Sequence, residues 1–176
     1  MDIRIQKTET AIKNAFMELR SRKPVEKITV KELCGLAQIN KSTFYTHYDD
    51  IYALSDAMQS ETIAFVLGTI SQGEWSVQEP GALTRAIFQA TTAHRTLING
   101  LFSPRERSRL ASALELGVKE MIYQKYPELR GDVEKSILLS FSIQGAYHAY
   151  LSHPEAEEER LASVIERISS TLRPLY

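Results

Sequence analysis

Apolar residues recur along this chain at three- and four-residue intervals almost throughout, the spacing that lines one face of an α-helix. Ile5, Ile12, Phe16 and Leu19, with Ala11 and Ala15 beside them, predict a first helix, and Pro24 is expected to stop it because proline has no amide hydrogen to continue the ladder. Val30, Leu33, Cys34 and Ala37 fall at i, i+3, i+4 and i+7, and Thr29 stands where an N-cap is needed. Gln38, Ile39 and Asn40 then make a tight connection. Asn40 can cap a helix that begins at Lys41 and carries Phe44 and Tyr48 on one face. Asp49 or Asp50 caps a long helix through Ile51, Leu54, Met58, Phe65 and Ile70.

Gly73 and the Pro80, Gly81 pair mark a loop. Beyond it the periodicity predicts helices near 81–94, 96–102, 104–125, 130–152 and 156–173, with Pro104, Pro127 and Pro154 punctuating them. The acidic run at 155–160 suits a helix start, where carboxylates meet the positive end of the dipole. No stretch alternates as a strand does, and no repeat appears. The expected fold is all-α: a three-helix head over 1–48, with a helix–turn–helix in it, joined to a helical body over 49–176.

Composition narrows this little. Hydrophobic residues at 43% and charged residues at 24% are ordinary for a globular protein. No apolar stretch approaches the ~18–20 residues that cross a bilayer, and the first residues hold no apolar signal core. A single cysteine, Cys34, excludes an internal disulfide and a cysteine zinc cluster, and its place on an apolar seam reads as a small buried hydrophobe. A reducing cytoplasm without membrane contact is the expected setting. His94, His148 and His153 lack ligand spacing, and no phosphate loop, nucleophile elbow or HExxH occurs. Neither enzyme chemistry, nor a metal, nor a cofactor is therefore expected. Charge is more informative: residues 1–48 hold nine Lys/Arg and five Asp/Glu, whereas 49–176 hold twelve and seventeen. A basic head on an acidic body suits a protein that offers one end to a polyanion.

The helix–turn–helix at 29–48 sharpens that expectation. With Val30, Leu33, Cys34, Ala37, Ile39, Phe44 and Tyr48 turned inward, the outward set is Thr29, Lys31, Asn40, Lys41, Ser42, Thr43, Tyr45, Thr46 and His47. These supply donors, hydroxyls and cationic charge without a carboxylate, which is what a major groove and its flanking phosphates require. A plain αα-hairpin with a polar surface is the alternative. The run Ser42, Thr43, Phe44, Tyr45, Thr46, His47, Tyr48, preceded by a short helix with Thr29 and Lys31 in its first turn, resembles the recognition unit of the tetracycline-repressor (TetR) family, and the resemblance covers residues 5–58. It implies that Lys31, Lys41, Ser42 and Thr43 approach bases or adjacent phosphates, and that Thr29, Tyr45 and His47 hold the DNA backbone. It also implies a homodimer on a near-palindromic double-stranded operator, acting as a repressor that an unknown small-molecule effector releases. Two positions depart from the family pattern. Gln38 stands where glycine is common, and Ile51, behind Asp49 and Asp50, stands where a phosphate-binding lysine is common.

In the body, Phe102, Gln144, Tyr147 and His148 are candidates to line an effector cavity, with core packing as the competing explanation. Phe141 and Gly145 on one helix, and Val164, Ile165, Ile168 and Leu172 on the next, form apolar stripes suited to an isologous dimer contact. Gly145 costs about 1 kcal/mol relative to Ala inside a helix, a cost that close helix approach would offset. The rival function is a protein-interaction adaptor that uses the same helices without strong DNA binding; Gln38, Asp49, Asp50 and Ile51 are the residues that favour it.

Overall fold

The computed structural model describes residues 3–153 and 156–172. The expectations placed on Met1, Asp2, Pro154, Glu155 and Arg173 lie outside the described residues. Among those described the chain is all helix and turn, without a strand. The helices are α1 (Ile3–Arg20), α2 (Val30–Ala37), α3 (Lys41–Tyr45), α4 (Ile51–Gln72), α5 (Pro80–Ala93), α6 (Arg95–Leu101), α7 (Arg107–Lys125), α8 (Val133–Ser152) and α9 (Glu158–Ser170). Single 3-10 turns occupy Val25–Lys27 and Pro127–Leu129.

Several boundaries differ from the periodicity. Helix α1 ends at Arg20, before the proline can act: the Arg22 and Lys23 amides both return to the Leu19 carbonyl, and Pro24 instead opens the 3-10 turn. Ile5, placed on the inner face by spacing alone, is half exposed, because the first turns of α1 run beyond the core. Pro104 lies in a turn, and α7 starts three residues later at Arg107. Helix α8 starts at Val133 rather than 130, since Gly131 takes a φ of 94° and Asp132 then caps the helix by accepting from the Lys135 amide at 3.0 Å.

The contacts divide the chain into two compact units, Met1–Thr62 with Thr96–Arg105, and Ile63–Arg95 with Glu106–Tyr176. The expected head of 1–48 falls inside the first. That unit packs α1 on α2 and α2 on α3 around Ile12, Phe16, Leu33, Phe44 and Leu54, all fully buried. Each such side chain contributes about 1.5–3 kcal/mol by leaving water. The Leu101 carbonyl, at the end of α6, accepts from buried Gln59 Nε2 at 3.0 Å, which fastens this later segment onto α4.

In the second unit α5 lies against α9 and α8, and α7 lies against α8. Phe88, Ala146, Tyr150, Ala162 and Ile165 form a buried cluster where α5, α8 and α9 meet. The approach of α5 to α9 is close: a Cβ on Gly81 would stand 2.8 Å from the Glu166 carbonyl, so only glycine fits without a shift. Arg85 of α5 then clasps α9 through Glu159 and Glu166.

Helices α7 and α8 are registered by a polar cluster. Glu115 accepts from Ser140 at 2.6 Å and from Gln144 at 2.8 Å, and Lys119 pairs with it at 2.9 Å. Partial burial pushes this carboxyl up, but the hydrogen bonds from Ser140, Gln144 and Lys119, with the lysine charge, outweigh it and hold the pKa at about 2. The contribution is present above the ordinary glutamate pKa of 4.5 and is lost as pH falls toward 2. Wild-type urea midpoints should therefore drop as pH falls from about 4.5 to about 2, the unfolded and folded pKa values. Glu115→Gln should be less stable at neutral pH by roughly 1.5–3 kcal/mol, with a visibly flatter pH profile. Equal acid sensitivity in the two proteins would show that Glu115 is not the titrating group.

Candidate nucleic-acid interface

Helices α2 and α3 are too short to stand alone, since isolated helices below ~12–15 residues are marginal in water. Their ends are accordingly tied. Thr29 Oγ1 accepts from the Glu32 amide at 3.3 Å and donates to the Glu32 carboxylate at 3.5 Å, so the cap residue and the glutamate three positions on hold each other. Asn40 Oδ1 caps α3 by accepting from the Thr43 amide at 2.7 Å. Between the two helices Gln38 adopts φ 54° and ψ 42°, the left-handed conformation that the expected glycine would adopt freely. Its amide donates to the Cys34 carbonyl and closes α2.

Phe44 is the internal anchor of this unit, wholly buried, with the Tyr45 ring set edge-on at 5.5 Å from it and the Tyr48 ring at 6.0 Å. Helix α3 ends at Tyr45, one turn sooner than spacing implies, and Tyr48 sits in the turn that follows. Its hydroxyl donates to Glu9 of α1 at 3.4 Å, and burial pushes its pKa up to about 12. Lys13 of α1 pairs with Glu9 at 2.9 Å and with Glu61 of α4 at 2.7 Å, so α1, the turn after α3 and α4 share one ionic cluster.

The face left outside carries most of the expected residues. Thr29, Lys31, Lys41, Ser42 and Tyr45 are exposed, Tyr45 by 54%, while Thr43 and His47 are half-buried at its edge. One expectation is corrected: this face does hold a carboxylate, because Glu32 is exposed. Its charge is met by Lys23 at 2.6 Å, whose hydrogen bond holds the Glu32 pKa below the ordinary value. The other departures acquire structural roles. Ile51 is buried in the core, and Asp50 caps α4 by accepting from the Ala53 amide at 2.7 Å. Ile51 and Asp50 thus serve the fold.

The candidate effector residues fall in both units. Phe102 is buried within the first unit, whereas Gln144, Tyr147 and His148 belong to the second. Gln144 is committed to Glu115, Tyr147 is buried with its hydroxyl donating to the Arg107 carbonyl at 3.5 Å, and His148 is exposed. Positions 147 and 148 are 100° apart on a helix, and the edge of the core runs between them. Of the expected dimer residues, Ile165 is buried in the chain's own cluster. Phe141 and Ile168 are exposed by 65% and 56%, and with Gly145 and Leu172 they line an open apolar groove of about 140 Å³ between α8 and α9. Val164 is half-buried outside that groove. Ile137, exposed by 62%, extends the apolar stripe along α8.

No protein-family model and no curated protein matches this sequence. Among solved structures, that of a TetR transcriptional regulator from Streptococcus agalactiae 2603V aligns with 95% of this chain and 96% of its own, at a TM-score of 0.63 and 24% identity. The two chains share one fold. No helix among the described residues is long and apolar enough to cross a membrane.

The left-handed turn offers a direct check. Gln38→Gly should raise stability by about 1 kcal/mol, because glycine meets no Cβ penalty at that φ. A destabilised Gln38→Gly in urea titration would mean that the Gln38 side chain contributes more than its strain costs.

Proposed function

We propose that this chain is a transcription regulator that binds double-stranded DNA through α2 and α3 as a homodimer, and that it represses until a small molecule releases it. The observation that carries the reading is the outer face of α3. A five-residue helix is held by a cap at its start and by buried Phe44, and it presents Lys41, Ser42 and Tyr45 to solvent with Thr43 half-buried at the edge, while Lys31 of α2 is exposed as well. That face is sized for a major groove and chemically suited to it. The shared fold of a solved TetR transcriptional regulator supports the same reading.

DNA affinity should fall with salt, with a slope of about 0.9 for each phosphate contact. Lys41→Ala should weaken binding and relax sequence choice, by roughly 1–3 kcal/mol at the base it meets. Tyr45→Ala should weaken all duplexes alike. Gel-shift or anisotropy titrations against a selected duplex check this, and salt-independent binding would defeat the reading. The same titration, repeated across a library of small metabolites, tests release: coupling of about 1–3 kcal/mol appears as a 5- to 150-fold loss of affinity. A library with no active compound would count against the effector while leaving DNA binding in place.

The proposed dimer surface is the groove of α8 and α9. Beyond its own helix, a Cβ added at Gly145 would meet none of the described residues within 4 Å, so nothing described within one subunit offsets the cost of a mid-helix glycine. A second copy packed there would offset it and would cover Phe141, Ile168 and Leu172. Two recognition helices about 34–36 Å apart would then meet successive turns of DNA. Ile168→Glu should give a folded monomer with weakened operator affinity, since each buried, unpaired carboxylate costs about 3–5 kcal/mol. Ile165→Glu differs: it strikes the α5–α8–α9 core and should unfold the unit. Sedimentation of Ile168→Glu as an intact dimer would remove this surface from the proposal.

A further inference from the structure

The cap of α3 fixes where two hydroxyl protons go. Asn40 Oδ1 lies 2.7 Å from the Thr43 amide, 2.7 Å from Ser42 Oγ and 2.8 Å from Thr43 Oγ1. A backbone amide can only donate, so the side-chain atom facing it is the carbonyl oxygen and not the amide nitrogen. A carbonyl oxygen can only accept, so both hydroxyls donate to it. Thr46 Oγ1 likewise donates to the Thr43 carbonyl at 2.7 Å. The Ser42, Thr43 and Thr46 hydroxyls are thereby left with lone pairs alone to offer outward.

We infer that Asn40 is a positioning residue for sequence choice, making Ser42 and Thr43 hydrogen-bond acceptors that read the exocyclic amino groups of adenine or cytosine in the major groove. This rests on the proposal that α3 binds DNA. The amino groups N6 of adenine and N4 of cytosine are the donors a major groove displays, whereas guanine O6 and thymine O4 accept. A hydroxyl that accepts from an amino group keeps its bond to Asn40 and gains another. One that donates to a keto oxygen must first leave the cap. Keto contacts therefore fall to the donor-only groups, Lys31 and Lys41, and amino contacts to Ser42 and Thr43.

Selection from a random duplex library with the full chain comes first. Ser42→Ala and Thr43→Val, which leave the fold's buried residues untouched, then locate the base pairs whose choice each hydroxyl governs. At those pairs single atoms are deleted: purine for adenine or 2-pyrimidinone for cytosine removes the amino group, and 2-aminopurine for guanine or 5-methyl-2-pyrimidinone for thymine removes the keto oxygen. Amino deletion should weaken wild type by about fivefold or more and leave the matching alanine or valine variant unaffected. Keto deletion at the same pair should weaken both equally. Asn40→Gly, a tolerated cap residue, should lose the amino preference, and Asn40→Asp, which keeps an acceptor, should retain it. The inference is overturned if keto deletion alone couples to the hydroxyls, if Ser42→Ala and Thr43→Val leave sequence choice unchanged, or if Asn40→Gly reads the same bases as wild type. Enrichment of no sequence at all would instead overturn the DNA-binding reading, and this inference with it.

Discussion

A helix of five residues has no stability of its own, and the outer face of the first unit depends on how α3 is held. Nucleating a helix fixes several dihedrals for each hydrogen bond gained, so a single turn persists only where packing and capping supply what length cannot. Phe44, wholly buried, supplies the packing, and Asn40 supplies the cap. The reciprocal Thr29–Glu32 cap holds α2, and Gln38 accepts a left-handed backbone so that the two helices can meet. Lys41, Ser42, Thr43 and Tyr45 keep their places because those inner residues are constrained. A loss of Phe44 would cost about 3–5 kcal/mol and would dissolve the face it supports.

Charge in the first unit is arranged around the same requirement. Glu9, Glu32 and Glu61 would oppose a polyanion if unpaired, and each is met by a lysine at under 3 Å: Glu9 and Glu61 by Lys13, Glu32 by Lys23. Exposed pairs of this kind add little to stability. Their consequence is electrostatic: the charge of each of these three carboxylates is offset by a lysine close at hand.

The second unit uses a different economy. Helix α8 meets α7 through the Glu115, Lys119, Ser140 and Gln144 cluster and meets α5 and α9 through Ala146 and Tyr150. A third face, carrying Ile137, Phe141 and Gly145, is largely exposed. That exposed face runs into the open groove lined by Ile168 and Leu172, the surface proposed for the dimer.

Local chemistry was enough to read the head. Helical spacing placed Phe44 and Leu33 inside; the residue types of Thr29 and Asn40 marked the caps, because a short side chain with an acceptor is what an uncapped amide requires. The resemblance of 42–48 to a known recognition unit suggested the use proposed for it, and the left-handed position of Gln38 agrees with its standing where glycine is common. Spacing could not tell which carboxylates would be exposed and which paired: Glu32 lies near Lys23 only because α1, the turn after it and α2 fold together. Nor could it divide one α8 face from another. Gln144, Tyr147 and His148 are equivalent by periodicity, yet a cluster on α7 claims the first, the core takes the second, and solvent keeps the third. Ile165 and Ile168, three residues apart on one helix, likewise separate into core and surface. Helical phase determines which residues share a side, and it was legible along the whole chain. What lies against that side is set by helices distant in sequence, and only the packed structure could decide it.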